Sequence, residues 1–186
     1  MPCHHIREYR YLYGAVSPQD GELFSLVMPY TNTDCMNVFL DELSKAYPDD
    51  YILLLLDNAA WHRSSAMIVP ERIELFPLLP YTPELNPIEM IWDEVREKGF
   101  RNEIFKNLEA VMERLCLTVK ALSDDVQRVA SITHRKWIFD ALTFWSGIIA
   151  NRSRILSVMT HKSNRTANSN HERTVRLLFI GAGGRT

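Results

Sequence analysis

The sequence predicts a mixed α/β domain built on a central sheet, and three observations carry that expectation. A short unbroken apolar run, "YILLLL" (51–56), is bounded by polar turns, as a strand covered on both faces would be. Two β-rich runs, "REYRYLYGAV" and "ELFSLVMPY", flank the turn-forming "SPQDG" and so read as a hairpin. The segments around them place apolar residues at helical spacing. The 186 residues suffice for one domain with a real core, and 46% hydrophobic content is ordinary for a globular chain. Mean hydropathy is -0.16 and the longest apolar run is far too short to span a bilayer, so a membrane protein is not expected. No basic segment precedes an apolar stretch at the start, so neither is a signal peptide. Three scattered cysteines, Cys3, Cys35 and Cys116, suit free thiols in a reducing compartment better than a disulfide framework or a zinc site.

The elements follow in order. After the hairpin, "TNTDCMNVFLDELSKAY" sets Met36, Phe39, Leu40 and Leu43 on one helical stripe, and Pro48 stops it. The apolar strand ends at Asp57. "SSAMIVPER" predicts a weak helix interrupted at Pro70, and "IELFPLLP", with a proline inside, an edge strand. "TPELNPIEMIWDEVREKG" passes from turn residues into an amphipathic helix ending near Gly99. Residues 103 to 122 predict another, with Ile104, Leu108, Val111, Leu115, Val119 and Leu122 on one stripe. A third is expected over 123–145, with Ser123 as N-cap and Asp124 and Asp125 in its first turn. No internal repeat is present.

From about residue 146 the chain turns polar and basic: seven Lys and Arg face one Glu between 151 and 186. It reads as a flexible tail that could bind DNA phosphates, or equally as read-through beyond an original stop codon. The net charge of -2 hides an asymmetry. Residues 1 to 95 carry 5 Lys and Arg against 15 Asp and Glu, whereas residues 96 to 186 carry 16 against 8. Such a division suits a metal site beside a polyanion track; chance distribution over solvated faces gives it too.

Two acids stand out. Asp57 ends a buried strand, where ligands of open α/β sheets are found. Glu89, in "LNPIEMIW", lies in the first turns of a helix after a Pro/Asn-rich loop. A strand-end Asp and a helix-borne Glu can converge above one sheet edge and bind Mg²⁺, which keeps several waters and takes one or two protein carboxylates plus substrate phosphates. Two ions about 3.5–4 Å apart then activate a nucleophile and stabilise the leaving oxygen in phosphodiester chemistry. Each residue alone has a plainer role: Asp57 as a turn former or cap, Glu89 as a solvated helix acid, Trp92 as core, His62 as a surface or capping group.

Taken together, "LLLLDNAAWH" and "LPYTPELNPIEMIWDEVR", about thirty residues further on, resemble the DDE transposases of bacterial insertion sequences and their mariner-type relatives, with likeness over residues 6 to 140. "YLYGAVSPQDGEL" looks like that family's hairpin and "NVFLDELSKAYP" like its first helix. The resemblance implies an RNase H-like fold and a cytoplasmic, nucleoid-associated enzyme. It also implies cleavage and strand transfer of double-stranded DNA, at transposon ends and target, with two Mg²⁺ or Mn²⁺ ions held by three acids. A homo-oligomer in the transfer complex is implied as well. Asp57 matches the second catalytic acid and metal ligand, and Glu89 the third. Asn58 and His62 match the positions beside the second; His62 could touch a phosphate or orient a water. Tyr81, Pro83, Asn86 and Pro87 match the loop that delivers the Glu, and Trp92 the aromatic on its helix. The prolines stiffen that loop by fixing φ, and Asn86 can cap the helix.

One departure matters. The family's first acid lies on a first strand, central in the sheet and upstream of the hairpin, and neither Glu8 nor Asp20 matches it. The expectation is therefore a partial catalytic domain over residues 1–145, missing its first strand and left with an open apolar sheet edge, followed by a tail over 146–186. Three functions fit: a DNA strand transferase inactive in this truncated form, a non-catalytic DNA-binding or dimerising remnant, or a different nuclease on the same fold.

Overall fold

The computed structural model describes residues 9–56, 65–78, 85–138, 140 and 175–183. The hairpin is β1 (Tyr11–Val16) and β2 (Leu23–Met28), paired antiparallel from Tyr11↔Met28 to Val16↔Leu23. Its turn closes with Ser17 N–H to Glu22 O at 2.9 Å and Gly21 N–H to Ser17 O at 2.8 Å. Gly21 has φ +77° and a Cβ there would meet the Val126 carbonyl oxygen at 1.9 Å, so both conformation and space demand glycine.

Helix α1 (Thr33–Ala46) starts at Asn32, whose side chain accepts from Cys35 N–H at 2.9 Å. It buries Met36, Phe39, Leu40 and Leu43, the stripe predicted from the sequence, together with Cys35. Strand β3 (Tyr51–Leu56) pairs parallel with β4 (Ile73–Pro77), which lies at the sheet edge, where Pro77's missing N–H is tolerated. The helix expected before β4 does not form. Residues 65–72 are turns and irregular backbone, and the Asn37 side chain takes up their polar groups, donating to Ala66 O at 3.1 Å and accepting from Ile68 N–H at 2.8 Å.

Three helices cover the opposite face: α2 (Ile88–Gly99), α3 (Leu108–Ser123) and α4 (Val126–Thr133). Three boundaries differ from expectation. α3 begins five residues late because Asn107 caps it, accepting from Ala110 N–H at 2.9 Å, and leaves Ile104 99% exposed. Asp125 rather than Ser123 caps α4; the Ser123 hydroxyl instead donates to Val119 O at 3.0 Å within the last turn of α3. α4 ends at Thr133; residues 134 and 135 interrupt the expected helix, the chain is helical again at 136–138 and 140, and residues 141–145 lie outside the described residues. Among the described residues no helix is long and apolar enough to cross a membrane.

The largest correction concerns the tail and the open edge. Val175–Gly183 form β5, and the sheet order is β2-β1-β5-β3-β4. β5 runs antiparallel to β1 (Val16↔Phe179 to Leu12↔Gly183) and parallel to β3 (Tyr51↔Val175 to Leu56↔Ile180). The central position expected to be vacant is thus held by the end of the chain, and the sheet is mixed and five-stranded. The remainder of the predicted tail lies outside the described residues. Two cores result. Tyr13, Ala15, Ile52, Leu54, Leu56, Leu178 and Ile180 pack with α1, while Leu12, Val16 and Leu53 pack with α2, α3 and α4. β3 feeds both, which is why its sequence is continuously apolar.

Candidate functional site

The site forms where α2 meets the ends of β5 and β3. Pro87, with φ -64°, is the N-cap of α2 and gives it no side-chain hydrogen bond. Asn86, one residue earlier and 4% exposed, does the anchoring. Its Nδ2 donates to Ile180 O of β5 at 2.9 Å, its Oδ1 accepts from Ile88 N–H at 3.4 Å, and its carbonyl accepts from Glu89 N–H at 3.1 Å. A single buried amide therefore ties the first turn of α2, and Glu89 with it, to the central strand. An acid in that turn is also favoured by the helix dipole.

Trp92, one turn on, sets the distance between helix and sheet. Gly14 of β1 and Gly181 of β5 are partners in the ladder, and the indole lies across both. A Cβ on Gly14 would meet Trp92 Cη2 at 2.5 Å, and one on Gly181 would meet Ile88 Cγ2 at 2.6 Å and Trp92 Nε1 at 3.2 Å. Two facing glycines thus admit the largest side chain of the helix, which is 3% exposed. Among the described residues the indole N–H has no hydrogen-bond partner, which costs about 1–3 kcal/mol for a buried donor.

The same Cβ position on Gly181 is 3.6 Å from Glu89 Oε1. Residue 181 therefore stands directly beneath the half-buried glutamate, but carries no side chain. Leu56, the last residue of β3, pairs with Ile180, so β3 ends level with this point. Of the residues singled out from the sequence, Glu89, Asn86, Pro87 and Trp92 come together here. Asp57, Asn58, His62, Tyr81 and Pro83 lie outside the described residues. Among the described residues no cluster of three His, Cys, Asp or Glu side chains could hold a metal ion.

Sequence reasoning missed Gly181 and all of β5. The signal was present but weaker than "YILLLL": "LLFI" is a four-residue apolar run followed by glycine, with Arg176 and a polar stretch before it. A groove of about 510 Å³ between α2, α3 and α4 is a separate feature. It is lined by Glu94, Lys98, Arg114 and Arg128 among others, and by none of the site residues. Its charges are of both signs, with Arg128 paired to Glu94 at 2.9 Å and Arg114 to Glu103.

Residues 4–112 match the family model described as DDE superfamily endonuclease. The uncharacterized protein y4pE/y4sA of Sinorhizobium fredii (strain NBRC 101917 / NGR234) is 35% identical over 130 residues, which span 69% of this chain and 96% of that protein. No solved structure matches the chain.

Proposed function

This chain belongs to the DDE superfamily endonucleases, and on that premise we propose that it is the catalytic domain of an insertion-sequence transposase that does not cut DNA as it stands. One observation carries the proposal: the residue beneath Glu89 on the central strand is Gly181, which brings no carboxylate to the site.

Asp57 is the residue after Leu56 in the sequence, and Leu56, the last residue of β3, pairs with Ile180, the neighbour of Gly181. That supports Asp57 and Glu89 as a pair of carboxylates above one sheet edge. Such a pair suits a single Mg²⁺ or Mn²⁺, which needs few protein ligands. It does not suit two ions, because the third carboxylate has no counterpart at Gly181. A bound cation would supply activation of the attacking oxygen and stabilisation of the leaving one. The chain's own part is positional: Asn86 fixes the turn that bears Glu89, and Trp92 over the glycine pair fixes the height of that turn above the sheet. The partner is double-stranded DNA, the setting the bacterial nucleoid, and the assembly for strand transfer a homo-oligomer.

The runner-up is a remnant that only binds DNA, and the glycine at 181 favours it over a working nuclease of another specificity. The test is a magnesium-dependent nicking assay of the purified chain on duplex DNA, hairpin ends and RNA–DNA hybrid. The proposal expects no turnover on any of them. Turnover on DNA that Asp57→Ala abolishes would show a complete site and refute the inactive reading, and turnover on hybrid alone would refute the transposase assignment.

A further inference from the structure

The sheet is held together by its last strand. β2–β1 and β3–β4 are two separate ribbons, and neither is hydrogen-bonded to the other except through β5. β5 is also clamped at both ends by groups outside its ladder. At its start the Arg176 guanidinium, whose side chain is 14% exposed, donates from Nε to Asp50 Oδ2 at 2.6 Å and from Nη1 to Asp20 Oδ2 at 2.6 Å. It pairs with Glu22 Oε2 at 2.9 Å and lies 4.7 Å from the centre of the Tyr47 ring. Burial works against this cation, but the carboxylates outweigh burial and its pKa is raised. Near the other end Asn86 holds the Ile180 carbonyl.

We propose that the slot between β1 and β3 is a strand-binding site for an extended apolar peptide bearing an arginine near its N-terminal end, and that residues 175–183 are its tethered occupant. Ladder hydrogen bonds on both sides supply affinity, as in strand addition generally. The cradle of Asp20, Glu22, Asp50 and Tyr47 supplies register. A slip of one residue would turn Leu178 and Ile180 out of the α1 core, and a slip of two would bring Leu178 to three carboxylates. Occupancy also builds the surroundings of Glu89, because Gly181 and the Ile180 carbonyl arrive with the strand.

The test uses the 186-residue chain and a fluorescein-labelled peptide of residues 172–186. In the native chain the tethered strand competes at an effective concentration near millimolar, so added peptide binds poorly. In Arg176→Ala the tethered strand competes less well, and the peptide is expected to bind at least tenfold more tightly than to the native chain. A peptide lacking the arginine is expected to bind at least about thirtyfold more weakly than the natural one, as for loss of one partner of a buried ion pair. Should Arg176→Ala be unfolded alone, the peptide must restore its circular dichroism. Equal binding by the arginine-less peptide, or no binding to Arg176→Ala, would overturn the proposal. So would a stable dimer of the native chain in which the strands are exchanged, since the occupant would then be a second copy.

Discussion

Replacing Gly181 with aspartate places a carboxylate where the site has none, and its consequences can be worked from the structure. The new Cβ meets Ile88 Cγ2 at 2.6 Å, and Ile88 is fully buried and branched at Cβ. Such overpacking costs about 1–3 kcal/mol. The carboxylate also faces Glu89, whose Oε1 is 3.6 Å from that Cβ. Two charges about 5 Å apart repel by roughly 3 kcal/mol at an effective dielectric of about 20. Partly offsetting this, Trp92 Nε1, 3.2 Å from the Cβ, gains an acceptor worth about 1–3 kcal/mol. Without a divalent ion Gly181→Asp should therefore melt several degrees below the native chain, at about 2–4 °C per kcal/mol. An ion bridging the two carboxylates removes the repulsion, and at ten times its Kd adds about 1.4 kcal/mol of stability. Melting curves with and without 10 mM MgCl₂ should show a stabilisation of a few degrees in Gly181→Asp, larger than in the native chain. Gly181→Ala carries the same strain without the charge and should show no added magnesium effect. If magnesium shifts Gly181→Asp and Gly181→Ala alike, residue 181 does not face Glu89 as described.

Gly14→Ala should cost about 1–3 kcal/mol in denaturant unfolding, because its Cβ would meet the rigid Trp92 ring at 2.5 Å; a neutral result would mean that the indole does not lie over the glycine pair. Asn86→Ala leaves the Ile180 carbonyl without its side-chain donor and should cost about 1–3 kcal/mol, with faster amide exchange in β5 and the first turn of α2 than elsewhere. Uniformly changed exchange would argue against a local anchor. Stability should also fall in alkali. Burial, foremost, with the neighbouring Cys35, pushes the Tyr13 hydroxyl up to about 12. The unfolded chain therefore releases this proton first. The contribution is intact below pH 10 and falls by up to about 1.4 kcal/mol per unit toward pH 12. Tyr13→Phe should flatten that part of the pH profile, and an unchanged slope would exclude Tyr13 as its source.

What was legible in the sequence was whatever local patterning determines. The stripe of α1, the doubly covered β3, the hairpin and the helix bearing Glu89 each announce themselves within a dozen residues, and each is found where expected. Helix limits were less legible because caps compete: Asn107 and Asp125 outdid the start at 103 and the cap at Ser123 through side-chain bonds to particular amides. The expected helix before β4 gave way to a tertiary bond from Asn37, nearly thirty residues away in sequence. β5 was hidden for the same kind of reason. Its composition is that of a strand, but its place in the sheet depends on Asp20, Glu22 and Asp50, more than a hundred residues earlier. The sequence shows Asn86 as a cap for α2, and its Oδ1 does accept from Ile88 N–H; what it does not show is that the amide nitrogen reaches across to Ile180 of β5.

Whether Asp57 and Glu89 form one site is decided by Mn²⁺ binding followed by electron paramagnetic resonance in the native chain, Asp57→Asn, Glu89→Gln and the double variant. One weak site is expected, which either single substitution abolishes with no further loss in the double variant, since two ligands of one ion act as a unit. Additive losses, or a Glu89→Gln chain that binds Mn²⁺ as the native one does, would contradict it.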